Sequence, residues 1–105
     1  MIKTAIFRVR PEKLERLIAW LAELQDRSDE VRETFAQEGV THEQAYVINT
    51  TDGPLLVYIV ESPDHRRASE AFRNSTLPID IDHKAIMAEV LSGPAEVAPR
   101  YDVSR

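Results

Sequence analysis

The chain has 105 residues, 43% of them hydrophobic and 30% charged, with a formal net charge of −5 and no cysteine. That is one domain by size with enough apolar content for a core. The missing cysteines exclude a disulfide scaffold, a thiolate metal site and a cysteine nucleophile, and the negative charge repels phosphate backbones, so no nucleic-acid partner is expected. The opening residues Met1 to Arg10 hold no apolar run of leader length, and no segment approaches the roughly 20 apolar residues of a membrane helix. The expected setting is therefore cytoplasmic, with no membrane partner.

Ile2 to Arg10 reads as a strand, with Ile2, Ala5, Ile6, Phe7 and Val9 placing apolar groups on both faces. Pro11 stops it and opens a helix. From Glu12 to Glu38, Leu14, Leu17, Leu21, Leu24, Val31 and Phe35 recur at spacings of three and four, with Ile18 widening the stripe. Ser28 lies in that seam, flanked by Asp26, Asp29 and Glu30, which predicts a break near Asp26 to Asp29. Glu23 and Arg27 pair one turn apart, and Gly39 ends the helix in the left-handed region.

Thr41 to Thr50 and Pro54 to Glu61 form a hairpin, with Thr51-Asp52-Gly53 as a three-residue loop whose glycine makes a bulge. That register sets Tyr46 opposite Tyr58 and Glu43 opposite Glu61. Facing carboxylates splay into solvent, sit in a shifted register or, if buried, share one retained proton. Ser62-Pro63-Asp64 starts a short helix to about Arg73, which offers Ala68, Ala71 and Phe72 to the core. A further helix starts at Asp80 or Asp82, with Ile81 and Ile86 as a hydrophobic staple, and ends at Gly93-Pro94. The last strand is Ala95 to Val103: Val97, Pro99, Tyr101 and Val103 alternate with Glu96, Ala98, Arg100 and Asp102, and Pro99 makes it an edge strand.

The order is that of an α+β domain, a ferredoxin-like βαββαβ with an extra helix before the last strand and a four-stranded antiparallel sheet. The central strands are apolar on both faces, and helices cover one face only. The other face calls for a second copy, so a homodimer with sheet packed on sheet is expected.

The layout resembles the dimeric α+β barrel superfamily, which includes antibiotic-biosynthesis monooxygenase-like, stress-responsive barrel, muconolactone-isomerase-like and rhamnose-mutarotase-like proteins. More closely, several pieces are similar to a family of small bacterial proteins of unknown function. They are Arg8-Val9-Arg10-Pro11, the Glu38-Gly39-Val40 corner followed by Glu43, and Phe72-Arg73-Asn74-Ser75 leading to Pro78-Ile79-Asp80 and His83. The resemblance implies a fold and a pocket between sheet and helices, not a reaction. The histidine and tryptophan-proline-glutamate pattern of the mutarotases has no match here.

Two function classes remain. One is a small-molecule enzyme without a cofactor, performing proton transfer or monooxygenase-like chemistry on an aromatic or polyketide-like substrate. His83 would be its catalytic acid or base, oriented by Asp80 one turn earlier. Arg8 would hold an oxyanion if it points toward the helices, and Trp20, Tyr46 and Tyr58 would line the ligand pocket. The other is a non-catalytic dimeric module that binds a ligand or a protein, in which Asp80 and His83 only cap and decorate a helix start. Asp80, Asp82 and His83 with His65 or His42 have the ligand types of a metal site without its spacing, so no metal is expected. A buried cavity beside an inward-facing His83 favours the enzyme, and a filled core with His83 in solvent favours the module.

Overall fold

A computed structural model describes all 105 residues. The first strand, β1 (Ile2–Val9), is followed by one 3₁₀ turn at Pro11–Lys13 and two helices, α1 (Leu14–Asp26) and α2 (Ser28–Glu38). A hairpin of β2 (His42–Thr50) and β3 (Gly53–Glu61) comes next, then α3 (His65–Asn74), α4 (Pro78–Val90) and a short β4 (Leu91–Ala95). The sheet order is β2-β3-β1-β4 and every pair is antiparallel. This is the strand order of the ferredoxin-like arrangement. No helix is long and apolar enough to cross a membrane.

The long helical segment breaks at Arg27, as the Asp26 to Asp29 cluster predicts. No side chain caps the new helix start. Instead Arg27 bonds Glu23 at 3.0 Å, Glu30 at 2.6 Å and Asp82 at 3.1 Å, tying α1, α2 and α4 at one point. Gly39 closes α2 at φ 79°, a conformation in which a Cβ would be strained.

One side of the sheet carries Phe7, Val9, Val47, Leu56 and Tyr58. It packs on Leu17 and Trp20 of α1 and on Ile79, Ile86 and Val90 of α4. Trp20, rather than Ile18, completes the buried stripe of α1; Ile18 is 50% exposed. The opposite side presents Ile2, Tyr46 and Ile48, at 68%, 46% and 45% exposure.

Five expectations need correction. The hairpin loop has two residues, because Gly53 pairs with Thr50 instead of bulging. The Thr50 hydroxyl accepts from the Asp52 amide and donates to the Gly53 carbonyl, which closes the turn without a positive φ at either central residue. The register moves by one residue: Tyr46 faces Val57, and Glu43 faces Val60. Because side chains alternate, the shift puts Tyr46 and Tyr58 on opposite faces, and likewise Glu43 and Glu61.

The cap of α3 is Asp64, which accepts from the Arg67 amide at 3.0 Å. Ser62 instead turns inward and donates to the Gly39 carbonyl at 3.0 Å. Helix α4 begins with Pro78 at its first position, so Asp80 lies in its first turn and Ile81 stands 52% exposed, outside any staple. The last strand is Leu91–Ala95, not Ala95 to Val103: Pro94 pairs with Phe7 at the sheet edge, and the chain from Glu96 to Arg105 has no helix or strand.

Leu17, at 0% exposure beneath the sheet, anchors this core. Leu17→Ala is expected to cost about 2–5 kcal/mol, read as a lower urea midpoint with unchanged m-value.

Candidate functional site

Between sheet and helices lies a polar cluster set in apolar packing. Its centre is His83 on α4, the sole histidine of the three that turns into the core. His65 meets the Met1 carbonyl at 2.7 Å, and His42 sits on β2 opposite Glu61. Asp80 and Asp82 also have separate partners, so the structure does not gather these groups around one point.

The Trp20 indole N–H donates to Nδ1 of His83 at 2.9 Å. An indole nitrogen only donates, so Nδ1 must carry the lone pair and the ring hydrogen of neutral His83 sits on Nε2. That nitrogen lies 3.2 Å from the Tyr58 hydroxyl and donates to it. The Tyr58 hydrogen is then left to face Met87, whose sulfur is 3.8 Å away. Phe72 packs edge-on against the imidazole at 5.7 Å. Burial lowers the His83 pKa to about 4, outweighing the opposing pull of Asp80, so the ring is neutral at pH 7. The order Trp20, His83, Tyr58 is a directed chain in which each donor polarises the next.

Asp80 does not orient His83. It is 2% exposed, and its Oδ2 accepts the hydroxyls of Thr34 and Ser75, each at 2.5 Å. These bonds join α2, the α3–α4 corner and the first turn of α4, where a carboxylate also complements the helix dipole. Lys84 secures the same corner, donating to the carbonyls of Arg73 and Ser75 at 3.1 Å. Arg8 and Tyr46 are not brought to this cluster. Arg8 follows Phe7, which faces the helices, so it projects exposed from the other side of β1. Tyr46 is on the open face with its hydroxyl on Gln44. Of the expected residues, Trp20, Tyr58 and His83 meet directly, and Asp80 lies beside them with other partners.

Two further carboxyls complete the cluster. Glu38, the last residue of α2, is 8% exposed and receives a 3.4 Å contact from the Thr34 hydroxyl. Burial first, then the charges of Asp80 and Glu43, push its pKa up to about 7. Its position at a helix C-terminus also disfavours the anion. Glu43 on β2 points to the helix side, because it shares a face with Ala45, the partner of Tyr58. Its surroundings push it up to about 7 as well. The Glu43 residue nevertheless keeps an exposed edge, so water tempers that shift, and Glu38 is the more firmly perturbed of the two. Burial and the nearby Glu43 together raise the Tyr58 phenol.

Glu43 and Tyr58 are diagonal neighbours across the β2–β3 pair, about 7–8 Å apart at the backbone. Ala45, small and exposed, lies on the same face beside both. A groove of about 330 Å³ lies elsewhere, on the outer surface between α1 and α4, with Trp20 in its wall. Sequence reasoning missed Glu38 and the inward turn of Glu43. A signal for Glu38 was present: it continues the apolar stripe three residues past Phe35 and seven past Val31.

The chain belongs to a family of unknown function, DUF6176, whose model matches residues 2–103. No curated protein matches it. Among solved structures it is similar to Rv0793 from Mycobacterium tuberculosis, with 24% identity, a TM-score of 0.56, and coverage of 98% of this chain and 96% of that one. That likeness bears on the fold alone.

The buried acid has a measurable consequence. Glu38 holds its proton to about pH 7 in the folded chain and releases it near its ordinary value of about 4.3 when unfolded. Its contribution to stability is therefore full below pH 4 and is lost as pH rises through 7. His83 has the opposite sign: its contribution is present above about pH 6.5 and is lost as pH falls toward 4. Glu38→Gln is expected to leave urea stability at pH 4 nearly unchanged and to raise it at pH 8 by about 1–3 kcal/mol.

Proposed function

We propose that this protein is a small-molecule enzyme that moves a proton without a cofactor, acting at the stretch of sheet face that carries Glu43, Ala45 and Tyr58. The observation that carries the reading is the Trp20–His83–Tyr58 chain, which ends in a hydroxyl with only a sulfur as its internal acceptor, beside a carboxyl that titrates near neutrality. A carboxyl whose pKa is raised toward neutrality can both take and return a proton.

In this reading Glu43 removes a proton from a carbon next to a carbonyl. The carbonyl oxygen gains the negative charge and accepts a hydrogen bond from Tyr58. Glu43 then returns the proton to the same or a neighbouring carbon, giving exchange or isomerisation. His83 is a positioning and polarising residue, since both of its nitrogens are engaged. Glu38 holds a second proton near Glu43, and Asp80 fixes the helix that carries His83. The neighbours of the His83–Tyr58 pair, Phe72 and Met87, are apolar and suit a neutral aromatic or polyketide-like substrate.

We further propose that the working form is a homodimer joined through the open sheet face, where Ile2, Tyr46 and Ile48 stand exposed. Arg8, on the same face, belongs to that interface in this reading and not to an oxyanion site. The close packing of Trp20, Tyr58 and Phe72 around His83 favours the second reading, a non-catalytic binding or interaction module.

The two readings part in deuterium oxide. A panel of small enolisable aromatic and polyketide-like carbonyl compounds is followed by proton NMR for loss of the α-hydrogen signal. Exchange catalysed by the wild type is expected to fall about 10²–10⁴-fold in Glu43→Gln and by a smaller factor in Tyr58→Phe. A compound that binds equally to wild type and both variants without exchange supports the module instead.

A further inference from the structure

We infer that the groove between α1 and α4 is a second small-molecule site, which takes a ligand with an ammonium at one end, a carboxylate at the other and an apolar middle about 10 Å long. It lies outside the sheet–helix interior and goes beyond the proton-transfer reading, on which it does not depend.

The two helices run antiparallel and are clamped at both ends. Arg16, near the start of α1, meets Glu89, near the end of α4, at 3.1 Å. Arg27, just past the end of α1, meets Asp82, early in α4, at 3.1 Å. Between the clamps α4 offers Ala85 and Ile86 to Trp20, and a groove of about 330 Å³ remains. That is the small end of the range for ligand pockets.

The two ends carry opposite charge. Lys13 and Arg16 share the one carboxylate of Glu89, so that end has a cation to spare. Glu23, Glu30 and Asp82 share the one guanidinium of Arg27, so the other end has carboxylates to spare. Asp82 and Glu89 are seven residues apart on α4, about 10 Å along its axis. The side chains of Arg16, Glu23 and Asp82 are about half exposed and can turn toward a ligand without leaving water. A ligand with a single charge answers one end only, and one with both charges answers both.

The floor is apolar. Trp20 and Ile86 show an edge to the groove, and Ala85 stands exposed. Arg27 already lies 5.8 Å from the centre of the Trp20 ring, so the ligand ammonium belongs against Glu23 and Asp82 and not on the indole. The same indole donates to His83, so an occupant of the groove touches the first donor of the buried chain.

Trp20 is the single tryptophan, so its fluorescence and its indole N–H resonance report on the groove. The probes are ω-amino acids from γ-aminobutyrate to ω-aminododecanoate, with octanoate and octylamine as controls of one charge each. Affinity is expected to peak near ω-aminooctanoate, with saturable shifts of the indole N–H and of the Ala85 and Ile86 amides. Each control is expected to bind about 2–5-fold more weakly, a difference that shrinks at high salt. Ala85→Leu, at an exposed helical position that leucine suits, fills the groove and is expected to weaken binding about tenfold or more. Glu23→Gln is expected to shrink the advantage of ω-aminooctanoate over octanoate. No saturable shift with any member of the series overturns the inference. So does affinity that simply rises with chain length, binding that either control matches, binding that survives Ala85→Leu, or binding that leaves the indole resonance unmoved.

Discussion

Two hydrogen bonds at one imidazole connect the three elements on which the candidate site depends. Trp20 reaches His83 from α1, His83 projects from α4, and Tyr58 rises from the central strand β3. Because the indole can only donate, the direction of the whole chain is fixed, and with it the tautomer of the ring and the free end of the Tyr58 hydroxyl. The ring is kept neutral by burial. A cation there would need the Trp20 hydrogen bond to break, since a protonated Nδ1 cannot accept.

The carboxyls follow a different logic. Arg27 satisfies Glu23, Glu30 and Asp82 at the surface of the helical layer, whereas buried Glu38 and Asp80, with the more exposed Glu43 on the same side of the sheet, have no cation among their partners. Asp80 is satisfied by two hydroxyls. Glu38 and Glu43 are not so provided for, and they respond by keeping their protons to about pH 7. Polar groups placed in this way reduce stability at neutral pH. In the proposed reading, their position near Tyr58 gives that cost a function in proton transfer.

Much of the architecture is legible in the sequence, because periodicity reports burial directly. The three- and four-residue stripe of Leu17, Leu21 and Leu24, the break before Asp29, the stop at Gly39 and the apolar runs of β1 and β3 each follow from one physical rule. The site is less legible, because it depends on register. Reading Gly53 as a bulge rather than as the partner of Thr50 moves every β2 side chain to the other face, and the inward turn of Glu43 disappears with it. The Asp80–His83 spacing resembles a catalytic pair on one helical turn, yet partners from other elements, Thr34 for one and Trp20 for the other, claim each side chain. The end of the chain shows the limit from the other side. Alternation from Val97 to Val103 predicts a strand, but alternation alone supplies no neighbouring edge.

The measurement that tests the account most directly is the ¹⁵N NMR spectrum of the His83 ring across pH. The predicted result is a neutral imidazole with its hydrogen on Nε2 and an unprotonated Nδ1 at pH 7, persisting until the pH nears 4. An imidazolium at pH 6, or a neutral ring with its hydrogen on Nδ1, would contradict the directed chain from Trp20 to Tyr58 and the proton-transfer site built on it.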